Sequence, residues 1–210
     1  MPLKQYLNSM IVKTFEDKEA WLEARKGRIT GTRLKDIVVK RGTGEKIGYY
    51  EIIAERIAEQ PYEENPKERG IRLEPEGIKE LEKRINKTID TSLVIWERND
   101  NKNIAISPDG FIGEKEAVEI KCLASSLHLE AYLTNKVPSE HEFQKLQYFI
   151  VNEKLETLYF GMYDPRMPEK VKFFYFTIKR EEVQEDIDIY LEYQKQKLKE
   201  IDEIVNKLTF

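Results

Sequence analysis

The chain reads as a mixed α/β fold with a central sheet flanked by helices, and three features of the sequence predict it. Apolar residues recur at helical spacing in the first half, the period shortens towards two in the middle, and a long helical stretch closes the chain. The resulting order of helices, strands, helices, strands and helix suits one sheet with helices packed on it. At 210 residues, 40% apolar and 35% charged with both signs interspersed, the chain can bury a sizeable core and is expected to form a single domain over 1–210.

Each element follows from local pattern. "EDKEAWLEARKG" predicts a helix ending at Gly27, "TGTRLKDIVVK" a second with Thr near its start, and "GYYEIIAERIAEQ" a third closed by Pro61. The loop "KRGTGEKIG" joins the last two. After the turn residues of "PYEENPKERG", "EPEGIKELEKRIN" predicts a fourth helix beginning at Glu74. "SLVIWER", "NIAISPDGFIG" and "EAVEIKCL" are short runs rich in β-branched and aromatic residues, parted by "NDNKN" and by Gly113-Glu114-Lys115, and predict an antiparallel meander. "SLHLEAYLTN" and "SEHEFQKLQYFIVNE" return to helix, the second with Phe143, Leu146 and Ile150 towards the core. "TLYFGMYD" and "VKFFYFTIK" predict two more strands, and the segment from Arg180 onwards one long helix.

Composition excludes several function classes. A net charge of −4 argues against coating nucleic acid by bulk charge, so any phosphate binding must come from a local patch. One stretch qualifies: Arg25, Lys26, Arg28, Arg33, Lys35, Lys40, Arg41 and Lys46 face only Glu23, Asp36 and Glu45, although a solvated helix face and loop would read the same way. The single cysteine, Cys122, can form no internal disulfide and no thiolate cluster for zinc or iron–sulfur. No apolar run approaches the roughly 18 residues of a membrane span, and the N-terminal stretch lacks a signal core, so a cytoplasmic protein with no membrane partner is expected.

The chemistry concentrates in "ISPDGFIGEKEAVEIKC", residues 106 to 122. Glu119 and Lys121 are two apart on a predicted strand, so both leave the same face. If the hairpin turns about Glu114, Asp109 lies across from Glu119. Two carboxylates so placed repel each other unless a cation stands between them. A hard divalent cation, Mg²⁺ or Mn²⁺, resolves that conflict. By spacing alone, a surface salt bridge of Lys121 with both acids, worth about 0 to 1 kcal/mol, fits as well.

The context of this stretch resembles the PD-(D/E)xK nuclease signature, and the chain as a whole resembles the phage lambda exonuclease family of recombination nucleases. The likeness runs through "WLEARKGRITGTRL", "GIRLEPEG", "SPDGF" with "VEIKC", "EFQKLQYFIV" and "YFGMYDPRM", in family order. It implies a restriction-endonuclease-like core. It also implies that Asp109 and Glu119 are metal ligands, joined by the backbone carbonyl of Ile120 and by Glu74, with two Mg²⁺ ions per site and Mn²⁺ as a substitute. Glu74 fits the spacing from Gly70 better than its neighbour Glu76, while a helix N-terminal acid is the structural alternative. Lys121 would hold the attacking water and steady the phosphate charge.

Arg25, Thr32, Ser107 and Gln144 match positions that hold a 5′-phosphate, with Arg28 a further backbone contact. A guanidinium fork and neutral donors suit that anion. His141 stands where the family's namesake has a tyrosine, and His128 reads as structural. The resemblance implies an exonuclease that digests one strand of linear double-stranded DNA from 5′-phosphorylated ends to leave 3′ overhangs. It further implies a homotrimeric ring, a single-strand annealing partner, and a phage or prophage protein acting in a bacterial host. The alternatives are a restriction or repair endonuclease with the same metal site and a non-catalytic module using its closing helix to bind a partner. Relatives with a four-cysteine iron–sulfur cluster are excluded by Cys122 standing alone.

Overall fold

The computed structural model describes residues 17–23, 46–57 and 66–209. The chain divides into two compact units, Met1–Arg56 and Ile57–Phe210. In the first, helix α1 (Lys18–Glu23) is capped by Asp17, whose Oδ1 accepts from the Ala20 amide at 2.7 Å. Helix α2 (Ile47–Ile57) buries Tyr50, Ile52 and Ala54. The predicted helix "TGTRLKDIVVK" lies outside the described residues.

The second unit carries α3 (Pro66–Ile85), β1 (Trp96–Glu97), β2 (Ala105–Ile106), β3 (Gly110–Ile112), β4 (Glu116–Lys121), α4 (Ser125–Thr134), α5 (Glu142–Val151), β5 (Thr157–Tyr163), α6 (Glu169–Lys172), β6 (Phe173–Lys179) and α7 (Gln184–Thr209). Helix α3 starts at Pro66, not at Glu74. Proline suits a first turn, and the helix continues through Gly70 and Pro75 because its apolar side is packed on the sheet. Glu74 therefore sits mid-helix, which removes the helix-terminus explanation for it.

The predicted meander is also split. β1 and β2 pair in a ribbon of their own, whereas β3 belongs to a four-stranded sheet of order β3-β4-β5-β6. Residues 107–109 carry the chain from one to the other. The β4–β5 pair is parallel and the other two are antiparallel, so the sheet is mixed. Helices α4 and α5 supply the long crossover that parallel strands require.

Alternation gives the sheet two different faces. Ala117, Leu158, Phe160, Met162 and Ile178 join Leu146, Phe149 and Ile150 of α5 and Ile187 of α7 in one cluster. Val118, Ile120, Tyr163 and Phe173 join Leu73, Ile78 and Leu81 of α3 in another. Each fully buried large apolar side chain here contributes roughly 1.5–3 kcal/mol. Contact is closest at Gly77: a Cβ there would stand 2.6 Å from Ile120 Cγ2, so only glycine lets α3 approach β4 at this level. Phe143, expected in the core, is instead exposed and stacks edge-on against Tyr190 of α7 at 5.1 Å.

Candidate active site

The hairpin β3–β4 turns over Gly113-Glu114-Lys115, with Gly113 in the left-handed region at φ 60°. Its register pairs Gly110 with Val118 and Ile112 with Glu116. Continued by one step, that register sets Asp109 opposite Glu119. β3 begins only at Gly110, and the Asp109 side chain takes over where the strand is missing. Its Oδ2 accepts from the Ile120 amide at 2.7 Å. In a strand the N–H and C=O of one residue leave by the same edge, so the Ile120 carbonyl faces the same side.

Glu119 is 2% exposed and is bound on several sides. Its Oε1 accepts from Gln144 Nε2 at 2.7 Å and pairs with Lys121 Nζ at 2.6 Å, while its Oε2 accepts from the Tyr148 hydroxyl. Gln144 and Tyr148 are four apart on α5, one turn on one side of the helix, so α5 presents both to the sheet face that carries Glu119. Tyr148 was not predicted as a site residue. The sequence signal that could have found it is this four-residue spacing from Gln144.

The electrostatics are those of crowded acids. Burial, then the charge of Glu119, pushes the Asp109 carboxyl up to about 7, with Glu74 adding to the rise and the Ile120 amide and Lys121 opposing it. Burial and then Glu119 raise Glu74 as well, against Lys121. Burial, then Glu119 and Asp109, raise the Tyr148 phenol. Three carboxylates thus share the field of one ammonium in a partly desolvated place, the condition that favours a bound cation.

Among the described residues no three acids, histidines or cysteines form a closed metal cage. Mg²⁺ seldom uses one: it takes one or two carboxylates and completes its shell with water and substrate phosphate. The hard oxygens of Asp109 and Glu119 fit such an open site, with the Ile120 carbonyl beside them and Glu74 contributing charge.

The other predicted residues fall in different places. Ser107 Oγ donates to Val94 O at 2.8 Å and is exposed. Glu76 is taken by the Tyr163 hydroxyl at 2.7 Å, which separates its role from that of Glu74. Arg25, Arg28 and Thr32 lie outside the described residues. His128 is fully buried with Nε2 against Val171 O at 2.7 Å, and burial lowers its basicity. Beyond β4, Arg69 and Arg166 reach the carbonyls of Cys122 and Leu123, at 3.3 Å and 3.2 Å. Arg166 also pairs with the buried Asp164, which accepts from Ser125 Oγ at 2.6 Å. These contacts fasten the exit of the strand that bears Glu119 and Lys121, and nothing in their spacing announces them.

Comparison with known proteins bears on the fold and the family. The fold matches the crystal structure of LHK-Exo, an alkaline exonuclease from Laribacter hongkongensis, with a TM-score of 0.55 at 23% identity over 91% of this chain and 100% of that one. The same values hold for LHK-Exo in complex with dAMP. A phage-related exonuclease from Haemophilus somnus 129PT matches with a TM-score of 0.42 at 13% identity over 68% and 77% of the two chains. Among curated proteins there is no match. Residues 20–154, which include Glu74, Asp109, Glu119, Lys121, Gln144 and Tyr148, match the family model described as the YqaJ-like viral recombinase domain. The chain belongs to that family, the YqaJ-like viral recombinases.

Proposed function

We propose that the protein is a single-domain, Mg²⁺-dependent exonuclease that digests one strand of linear double-stranded DNA in the 5′ to 3′ direction. The observation that carries this reading is the buried Glu119 facing Asp109, with Lys121 beside it, on the end of one strand. Asp109, Glu119, the Ile120 carbonyl and Glu74 would hold one or two Mg²⁺ or Mn²⁺, which supply charge neutralisation and polarise the phosphodiester. Lys121 orients a water in line with the phosphorus and steadies the charge of the pentavalent phosphate. The water oxygen bonds to phosphorus, the bond to the 3′-oxygen breaks, and that oxygen takes a proton to leave a 3′-hydroxyl and a 5′-phosphate. Tyr148 and Gln144 keep the Glu119 carboxylate in one orientation throughout.

Arg25, Arg28, Thr32, Ser107 and Gln144 are the candidates for holding a terminal 5′-phosphate, which would confine cutting to chain ends. LHK-Exo has been solved with dAMP, and a nucleoside monophosphate is the unit that stepwise digestion releases. A homotrimeric ring around DNA and a single-strand annealing partner, in a phage recombination system working in the bacterial cytoplasm, complete the proposal. Enclosure would let a chain of net charge −4 stay on DNA.

The test is digestion of linear duplex DNA with Mg²⁺, comparing 5′-phosphorylated with 5′-hydroxyl ends and labelling each strand end. Stepwise loss of the 5′-phosphorylated strand, with closed circles untouched, is expected. Cutting of closed circles would make the protein an endonuclease, and no cutting with any divalent ion would return Asp109, Glu119 and Lys121 to a salt-bridge cluster.

A further inference from the structure

We propose that His141 is a substrate-binding residue whose Nε2 donates a hydrogen bond to a phosphate oxygen of the DNA strand held at the Asp109, Glu119 and Lys121 site. The inference rests on the nuclease reading above. His141 immediately precedes α5 and lies three residues before Gln144, which bonds Glu119. Its ring centroid is 5.9 Å from that of Phe160, tilted by 39°. Phe160 is the register partner of Glu119 on β5, so the two share a sheet face and His141 stands on that face beside Glu119.

The imidazole is poorly matched to this place in the free protein. Nε2 is buried and has no hydrogen-bond partner among the described residues. Glu140 Oε1 approaches to 3.4 Å, near enough for an ion pair with a charged ring but outside hydrogen-bond geometry. Burial, then the Lys121 ammonium, lowers the basicity of the ring, against smaller opposing effects of Glu140 and Glu119. In either protonation state an imidazole carries an N–H on at least one ring nitrogen, so it has a donor to give.

A buried polar atom left without a partner costs free energy that the fold must offset elsewhere, and such atoms gather where a ligand later satisfies them. The ligand that suits this one is set by its neighbour. Lys121 marks the place where anionic phosphate comes in, and an imidazole N–H beside an ammonium is a second donor for the same group. His128 also keeps a buried Nδ1 without a partner among the described residues, but its Nε2 is held by a backbone carbonyl, and it lies away from Glu119 and Lys121.

The test compares His141→Phe and His141→Gln with the wild-type chain. Phenylalanine keeps a ring against Phe160 and removes the donor, whereas glutamine keeps an N–H. Melting temperature is measured alongside affinity for a short 5′-phosphorylated duplex with Ca²⁺ in place of Mg²⁺ to prevent cutting. The proposal expects His141→Phe to melt at or above the wild type, by up to about 4 °C, because the orphaned atom is gone. It expects the same variant to bind DNA about tenfold more weakly, the loss due to one hydrogen bond to a charged group. His141→Gln is expected to recover part of that affinity. Binding by His141→Phe within twofold of wild type overturns the proposal. So does a loss of affinity that His141→Gln shares in full and that follows a lowered melting temperature in both variants. If the wild-type chain neither binds nor cuts duplex DNA, the nuclease reading has failed, which is a separate result.

Discussion

At the scale of single residues, the site is defined by how each carboxylate is held. Glu119 is fixed by Tyr148, Gln144 and Lys121, so Tyr148→Phe should leave a buried carboxylate short of one donor, costing about 1–3 kcal/mol of stability. The Mg²⁺ concentration for half-maximal cleavage should rise by about tenfold or more, as measured by titrating the metal against the rate. Asp109 behaves oppositely. With its carboxyl pushed up to about 7, the metal-free fold carries a charge it disfavours above that pH. Asp109→Asn keeps an oxygen for the Ile120 amide and loses the charge, so without metal at pH 8 it should melt at or above the wild type. It should also lose both cleavage and the rise in melting temperature that Mg²⁺ gives the wild type. The Asp109 and Glu119 pairing was legible in the sequence because a short turn with a glycine fixes hairpin register. Tyr148 was not, since a tyrosine in an apolar helix reads first as core.

At the scale of elements, what positions the site is the close approach of α3 to β4. Gly77→Ala would place a methyl group 2.6 Å from Ile120 Cγ2, overpacking that costs about 1–3 kcal/mol. Because Glu74 rides on the same helix, the substitution should slow cleavage more than its loss of stability alone would, which parallel urea unfolding and rate measurements would reveal. The start of α3 and the split between the two small sheets were hidden from the sequence for related reasons. Gly70 and Pro75 look like breakers, yet packing of Leu73, Ile78 and Leu81 on the sheet outweighs their local cost. The run "NIAISPDGFIG" looks continuous, yet residues 107–109 lead from β2 in the ribbon to β3 in the main sheet. Local pattern sets the period of a strand but not its partner.

At the scale of the whole molecule, the two-faced sheet gives the unit Ile57–Phe210 its stability, and a polar tie joins the strand exits. Burial would raise the carboxyl of Asp164, but its hydrogen bonds with Arg166 and Ser125 outweigh that effect and hold it below the usual aspartate range. The unfolded chain then binds more protons than the folded one at acid pH, so this contribution is present above about pH 4 and is lost as pH falls through the lowered value. Asp164→Asn should lower the urea midpoint at pH 7 and flatten its fall between pH 5 and pH 3. None of the described helices is long and apolar enough to cross a membrane. The order of helices and strands was legible from hydrophobic period alone, whereas the parallel pairing of β4 with β5 depends on contacts between residues some forty positions apart. One contact at the end of the sheet offers a spectroscopic handle. The Ile120 amide is tied to a side chain, Asp109 Oδ2, where its neighbours on the ladder are tied to backbone. The hydrogen-exchange rate and NMR shift of that single amide therefore follow the position and charge of the Asp109 carboxylate, making Ile120 a native reporter for cation binding that needs neither DNA nor turnover.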